Sequence, residues 1–373
     1  MKTQGAVITK APGEYEVVDL ELEDPRPDEL QVQLVAAGLC HSDDHYATGD
    51  LHLGTYPTAG GHEGAGIVTK VGPNAKGIKE GDHVVFSFIP ACGHCRWCTR
   101  GMQNLCDHGA SIMAGPRWTD GSYRLHLPDG TNVGQVSGIS TFVRHTTASL
   151  ESAIKIDDDI PLDLACLTGC GVGTGWGSAV NSAEVRPGQT VVVMGIGGIG
   201  INAVQGARHA GASNIIAVDP VAFKREKAEQ LGATHTCSSI EEAGELARQL
   251  TNGQGADAAI VTIGVLTGEA IAQAFATVRK AGITVVTAVG NHEAIGIPLP
   301  LNELTLYQKR LQGALYGGCG PNWDIKAQLQ LYREGVLKLD ELLTNRYKLE
   351  DITKGYDDLR DGKNIRGIID YTL

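Results

Sequence analysis

Four cysteines fall within fifteen residues of this chain. The stretch CGHCRWCTRGMQNLC, residues 92–106, spaces Cys92, Cys95, Cys98 and Cys106 as C-x2-C-x2-C-x7-C. Four thiolates fill a zinc tetrahedron completely and leave no position for substrate or water, so such a site works by contributing folding energy. It would tie down a lobe of about residues 90–110 that is otherwise extended. The alternatives are free thiols clustered by chance and a zinc ribbon that binds nucleic acid. The ribbon fits poorly with a net charge of −12 and no basic patch around the cysteines.

A reactive metal needs three protein ligands and a vacancy. The remaining candidates are Cys40 in GLCHSDDHY, His62 in GGHEGAG and Cys170 in LTGCGVGTGWG. Singly each is ambiguous, because a lone cysteine is most often a small buried hydrophobe. Together, two cysteines and one histidine match the ligand set of a zinc that oxidises alcohols.

A second constellation is GIGGIG, Gly195 to Gly200, which follows the apolar run TVVVM and opens a helical segment. In that context the pattern reads as a dinucleotide turn. Gly195 makes the tight turn, Gly197 lets backbone approach a pyrophosphate, and Gly200 lets helix and strand pack closely. Gly198 and Ile199 complete the loop, whose helix N-terminus offers N–H groups to phosphate. Asp219 ends the next strand, IIAVD, about 20 residues on, where a carboxylate accepts from a ribose diol and selects NAD over NADP. Lys224 is placed to add a ribose contact.

These residues need elements to hold them. QVQLVAAGLC, GAGIVTKVG and GDHVVFSFIP alternate at the strand period between glycine, proline and aspartate punctuation, which predicts a β-rich, barrel-like domain. From about residue 172 strands and helices alternate: TVVVM, IIAVD, ADAAIVTIG and GITVVTAVG are apolar runs, and KREKAEQLGAT and EAIAQAFATVRK are helical. That pattern predicts a doubly wound parallel sheet. WDIKAQLQLYREG reads as a helix and GIIDYTL as a closing strand. The fold class expected is α/β, with residues 1–171 and 315–373 forming the β-rich catalytic domain and 172–314 the nucleotide domain.

Composition excludes several classes. Lys+Arg 31 against Asp+Glu 43 disfavours nucleic acid and anionic membrane as partners. The N-terminus MKTQGAVITKAPGEYEV has no signal-like apolar core, and the longest apolar-looking run, LACLTGCGVGTGWGSAV, is broken by glycines. A cytoplasmic location follows as the expectation. Nine cysteines in such a chain then read as ligands and free thiols, not as a disulfide framework.

Over nearly its whole length the chain resembles the zinc-dependent medium-chain alcohol dehydrogenases. The matching segments are GLCHSDDHYATG, AGGHEGAGIV, CGHCRWCTRGMQNLC, TGCGVGTGWGSAV, VVVMGIGGIG and DGKNIRGIID. The insertion GPRWTDGSYRLHLPDG looks like the branch of thiol-dependent formaldehyde dehydrogenases. It is closer still to the actinobacterial nicotinoprotein alcohol dehydrogenases, which keep NAD bound and pass electrons to an acceptor. The resemblance implies a GroES-like catalytic domain beside a Rossmann domain, with two zinc ions, one catalytic and one structural, and NAD.

The roles that follow are what the resemblance implies. Cys40, His62 and Cys170 correspond to the catalytic zinc ligands, and Glu63 to an acidic neighbour that approaches the metal during ligand exchange. Asp43 looks like the carboxylate that orients the ligating imidazole of His62. Ser42 and His45 correspond to a proton relay that passes the nicotinamide ribose on its way to solvent. Thr174 would support the nicotinamide, Arg366 the pyrophosphate, and Val289 belongs with the cofactor contacts. His41 stands where many members carry an arginine on the cofactor phosphate; a histidine there is a weaker, pH-dependent cation.

The expected reaction is reversible hydride transfer between a primary or secondary alcohol and NAD, giving an aldehyde or ketone. Oxidation of thiol–formaldehyde (S-hydroxymethyl) adducts is the alternative. A zinc-free quinone reductase of the same fold is excluded if the three ligands hold metal. A non-enzymatic zinc-and-nucleotide binder would show no turnover that a chelator could remove. Phe88 and Trp118 are candidates to line the pocket. The expected partners are a small alcohol or aldehyde, further copies of the chain in a dimer or tetramer, and an electron-acceptor cofactor or protein.

Overall fold

The alternation in ELQVQLVAAG becomes the ten-residue strand Glu29–Gly38, around which one half of the protein is built. The structure is a computed structural model that describes all 373 residues. Glu29–Gly38 pairs antiparallel with Gly64–Val71, with His145–Ser149 and with the C-terminal strand Arg366–Asp370. His83–Phe86, Ala153–Lys155 and Leu343–Tyr347 complete this seven-stranded sheet. A closed barrel of Lys2–Ile8, Glu16–Leu22, Leu125–His126, Asn132–Gln135 and Thr58–Ala59 accompanies it. These strands lie in one compact unit, Met1–Cys170 with Gly320–Leu373.

Gly171–Cys319 forms the second unit. Its six strands run in the order His235–Cys237, Asn214–Val218, Thr190–Met194, Ala256–Val261, Val278–Val286, Arg310–Gly313, and every pair is parallel. In chain order this is 3-2-1-4-5-6, the doubly wound arrangement of dinucleotide-binding sheets. The strand order reverses between Thr190–Met194 and Ala256–Val261, where ligands of such sheets bind.

Two boundaries differ from those drawn on the sequence. The nucleotide unit begins one residue earlier, at Gly171, and runs to Cys319 instead of 314. The extension carries the 3-10 turn Leu315–Gly318, whose Tyr316 is 1% exposed. Tyr316 packs on the helix Gly171–Gly177, where a Cβ at Gly173 would meet its ring at 2.6 Å. The expected helix EAIAQAFATVRK ends at Thr277, since Val278 already pairs with Ala256 as the first residue of the next strand. Sheet pairing there overrides helix propensity.

A buried charge cluster helps to close the first unit. Glu29, 5% exposed, receives the Arg124 guanidinium at 2.8 Å and Arg117 at 3.2 Å. Arg117 also donates to the carbonyls of Gly138 and Thr147. Burial pushes the Arg117 guanidinium down to about 10 while Glu29 pulls it up. Removing one member of a buried ion group strands the others. Glu29→Gln should therefore destabilise this unit by about 3–5 kcal/mol. Denaturant unfolding checks this, with Glu350→Gln, on an exposed ion pair, as the near-silent control.

Candidate functional site

The register of the large sheet assembles the first site. Ala37 pairs with Gly64, so Cys40, just beyond one strand, and His62 and Glu63, just before the other, come to the same end of the sheet. Gly64 also pairs with Phe86. The chain reaches Cys170 through Gly169, whose missing Cβ would lie 2.3 Å from the Phe86 carbonyl. Cys40, His62, Glu63 and Cys170 are all buried, with their ligand atoms within 4.8 Å of one another.

The electrostatics of this cluster fit a cation. His62 Nδ1 lies 2.8 Å from Asp43 Oδ2, and the Gly61 amide donates to Asp43 Oδ1 at 3.0 Å. Nδ1 and Oδ2 are ion-pair neighbours not aligned as a hydrogen bond, and His62 Nε2 is buried with no hydrogen-bond partner. A buried ring nitrogen without a partner, beside two thiols, suits a metal. The hydrogen bond from Cys170, helped by His62 and Arg366, holds the Cys40 thiol well below the usual range. The same bond, with burial, pushes Cys170 up. Burial opposes charge on His62, but Asp43 and Cys40 outweigh it and raise its basicity.

The residues around the cluster are placed as follows. Ser42 Oγ lies 3.8 Å from Cys40 Sγ, in the helix His41–Thr48, which His41 opens. His45 is 2% exposed, and its Nδ1 lies 3.1 Å from Asp50 Oδ2, which also accepts from Thr48 Oγ1 at 2.9 Å. Phe88 meets the His62 ring edge-on at 5.6 Å between centroids. Arg366, expected at a pyrophosphate, is buried and paired with Glu63. Trp118 is tilted on His108 at 6.2 Å between ring centroids and closes on Gly138, where an added Cβ would meet its ring.

Cys92, Cys95, Cys98 and Cys106 form the second group that could hold a metal, again with all sulfurs within 4.8 Å. Backbone amides point at the sulfurs: Cys95 N to Cys92 at 3.3 Å, Cys98 N to Cys95 at 3.5 Å and Cys92 N to Cys106 at 3.5 Å. The Cys98 and Asp107 amides bring the Cys95 thiol down to about 6, whereas burial pushes Cys98 up to about 12. The apolar cluster here contains only Ile89, Cys98 and Cys106 as buried members. A core that small does not order the lobe, and four sulfurs on a metal would.

In the second unit, the turn after Thr190–Met194 can be accounted for bond by bond. Gly195 adopts φ +94°, and a Cβ on Gly200 would lie 1.8 Å from the Gly195 carbonyl. The Gly195 amide donates to Val218, and the Ile196 amide to Asp219 Oδ2 at 2.8 Å. The carbonyls of Gly195, Gly197 and Gly198 accept from Thr262 Oγ1, Ile201 N and Asn202 Nδ2. The N–H groups of Gly197, Gly198, Ile199 and Gly200 are left with no acceptor in the protein. Four such donors at a helix N-terminus fit a pyrophosphate.

Asp219, 6% exposed, also accepts from Val221 N at 2.9 Å, so its carboxylate is fixed in place at the end of its strand. Arg225, which the sequence reading missed, donates to the carbonyls of Asp219 and Pro220. Lys224 lies in the first turn of the helix Ala222–Gln230. Thr174 is buried in the helix Gly171–Gly177, and Val289, 39% exposed, accepts from Leu266 N.

Gly197 provides a direct test. An added Cβ there meets nothing within 4 Å, so the fold itself makes no demand for glycine. Gly197→Ala should leave thermal stability unchanged and weaken cofactor binding by about 1–3 kcal/mol, the usual cost of overfilling a packed space. Titration with NADH, followed by fluorescence, measures it.

Comparison with known proteins finds relatives along nearly the whole chain. Residues 26–149 match the alcohol dehydrogenase GroES-like domain, and residues 198–333 match the zinc-binding dehydrogenase family. An NDMA-dependent alcohol dehydrogenase of Amycolatopsis methanolica is 51% identical over 99% of both chains. An S-(hydroxymethyl)glutathione dehydrogenase of Paracoccus denitrificans is 33% identical over the full length of both. The crystal structure of an alcohol dehydrogenase zinc-binding domain protein from Burkholderia ambifaria superposes with a TM-score of 0.92, at 32% identity and 99% coverage of each chain. The chain thus belongs to the zinc-dependent alcohol dehydrogenase family, and is an oxidoreductase with zinc and a nicotinamide dinucleotide as its cofactors.

Proposed function

We propose that this enzyme oxidises a primary or secondary alcohol reversibly and keeps its NAD bound between turnovers. The observation that carries the reading is the buried set Cys40, His62, Cys170 and Glu63, separate from a closed four-cysteine site. Zinc, when bound, supplies a Lewis acid that lowers a hydroxyl pKa by roughly eight units, and NAD supplies the hydride acceptor. Cys40, His62 and Cys170 would hold that metal, Asp43 orients the imidazole of His62, and Arg366 balances Glu63.

Ser42 takes the first proton in this scheme and His45 passes it on. The Asp50 carboxylate, 3.1 Å from Nδ1, would steady the His45 ring for that transfer. Asp219 excludes a 2′-phosphate, selecting NAD. His41, Lys224, Thr174, Val289 and Arg366 are proposed cofactor contacts.

Retention of NAD is supported by likeness to a relative whose name specifies NDMA dependence, at 51% identity, against 33% for the thiol-adduct enzyme. An electron-acceptor cofactor or protein would then complete the cycle. Self-association is proposed through the edge strand Arg310–Gly313 and the apolar side chains near it in sequence. Ile295 is 97%, Leu301 80% and Leu306 73% exposed, an apolar display that calls for a cover. No helix is long and apolar enough to cross a membrane, and a cytoplasmic location is proposed.

The test is to purify the protein without added cofactor and quantify the nucleotide released on denaturation. Near-stoichiometric NAD(H), with little turnover on free NAD, is the expected result. An empty site with brisk turnover on free NAD returns the protein to ordinary exchange. Activity on formaldehyde only when a small thiol is present would favour the adduct reading.

A further inference from the structure

Asn202 is a polar side chain where the fold has no need of one. It lies fully buried in the first turn of the helix Gly200–His209, among Ile201, Ala203, Val204 and Ala207, each 0% exposed. An amide in such a place costs free energy unless its polar atoms are satisfied. Here they are: Nδ2 donates to the Gly198 carbonyl at 2.8 Å, and Oδ1 accepts from Gln205 Nε2 at 3.1 Å. Gln205 is itself 5% exposed. The room is tight, since a Cβ on Gly175 would meet Asn202 Cβ at 2.8 Å.

The consequence follows from the planarity of the peptide bond. In a trans peptide the carbonyl and the following N–H point in opposite directions. Fixing the Gly198 carbonyl against the helix therefore aims the Ile199 N–H outward, and that N–H has no acceptor in the protein. The preceding part of the turn is fixed in the same way. Thr262 Oγ1 holds the Gly195 carbonyl at 2.6 Å while Asp219 takes the Ile196 amide on the other side of that peptide. Donors held in place before an anion arrives lose little freedom on binding, which lengthens residence.

We infer that Asn202, braced by Gln205, is a positioning residue that presets the phosphate-binding turn and slows release of the dinucleotide. This rests on reading Gly195–Gly200 as the pyrophosphate turn. It is independent of the metal sites and of which alcohol is oxidised.

The experiment compares the wild type, Asn202→Leu and Asn202→Ser. Leucine keeps the branched shape, in a somewhat larger side chain, and removes the donor. Serine restores one, because its hydroxyl reaches the carbonyl four residues back, which here is Gly198. NADH release is followed by stopped-flow fluorescence, and melting temperature is measured on stripped and NAD-saturated protein. The leucine variant should release NADH roughly tenfold faster, the loss of about one hydrogen bond. The stabilisation that NAD confers should shrink with it, and serine should recover part of both. Zinc content should stay the same.

Release from Asn202→Leu at the wild-type rate overturns the inference and leaves the turn assignment standing. A wild type that binds no NAD(H) overturns both. If the leucine variant does not fold, Asn202→Ala, which also lacks the donor to the Gly198 carbonyl, decides, and a wild-type release rate in it would equally overturn the inference.

Discussion

Replacing His62 with alanine should lower the zinc content from two ions per chain to one and reduce alcohol turnover by at least about 10^3-fold. Three ligands hold a catalytic zinc with one position open, so losing one leaves two sulfurs and the Glu63 carboxylate, which is already engaged with Arg366. The loss in rate is only part of what roughly eight units of hydroxyl acidity are worth. The structural cost should be smaller than the chemical one. Asp43 keeps its bond from the Gly61 amide, and Tyr15 still donates to the Asp43 carbonyl at 3.0 Å. Zinc analysis and steady-state kinetics on the same preparation measure both effects. NADH titration should find cofactor affinity unchanged, because no residue of the Gly195–Gly200 turn is altered.

Cys92→Ala should do the reverse, removing the other zinc and with it the order of the lobe around residues 90–110. Metal binding to such sites is worth about 10–16 kcal/mol in isolated peptides, against about 5–15 kcal/mol for the stability of a whole domain. The apolar cluster there has three buried members, two of them cysteines, so little apolar packing remains to replace the metal. Hydrogen exchange should accelerate at the amides of Cys95, Cys98 and Gly101, which now bond within the lobe. Thermal inactivation should quicken well before the turnover of still-folded protein falls. Equal loss of turnover in freshly purified, folded protein would place this zinc in the chemistry after all.

Both metal groups were legible because ligand identity is chemical: four cysteines in fifteen residues have few other uses in a chain without disulfides. The nucleotide turn was legible for a similar reason, as Gly195 and Gly200 meet backbone demands that only glycine satisfies. Residues whose work depends on distant partners were harder to read. Thr262 reaches Gly195 across 67 positions and Arg366 reaches Glu63 across 303, both through sheet register that no local pattern encodes. Asn202 did leave a trace, as an amide inside the apolar segment GINAVQG, and Asp50 another, following the helix that carries His45. Each reads as an ordinary polar residue until its partner is in view.

The central claim is that the reactive metal lies apart from the cysteine-rich loop. Anomalous diffraction from crystals, recorded on either side of the zinc absorption edge, tests it most directly. The account predicts two peaks per chain, one within bonding distance of Cys40, His62 and Cys170 and one among Cys92, Cys95, Cys98 and Cys106. A single peak at the four cysteines, in protein that still oxidises alcohols, would contradict it.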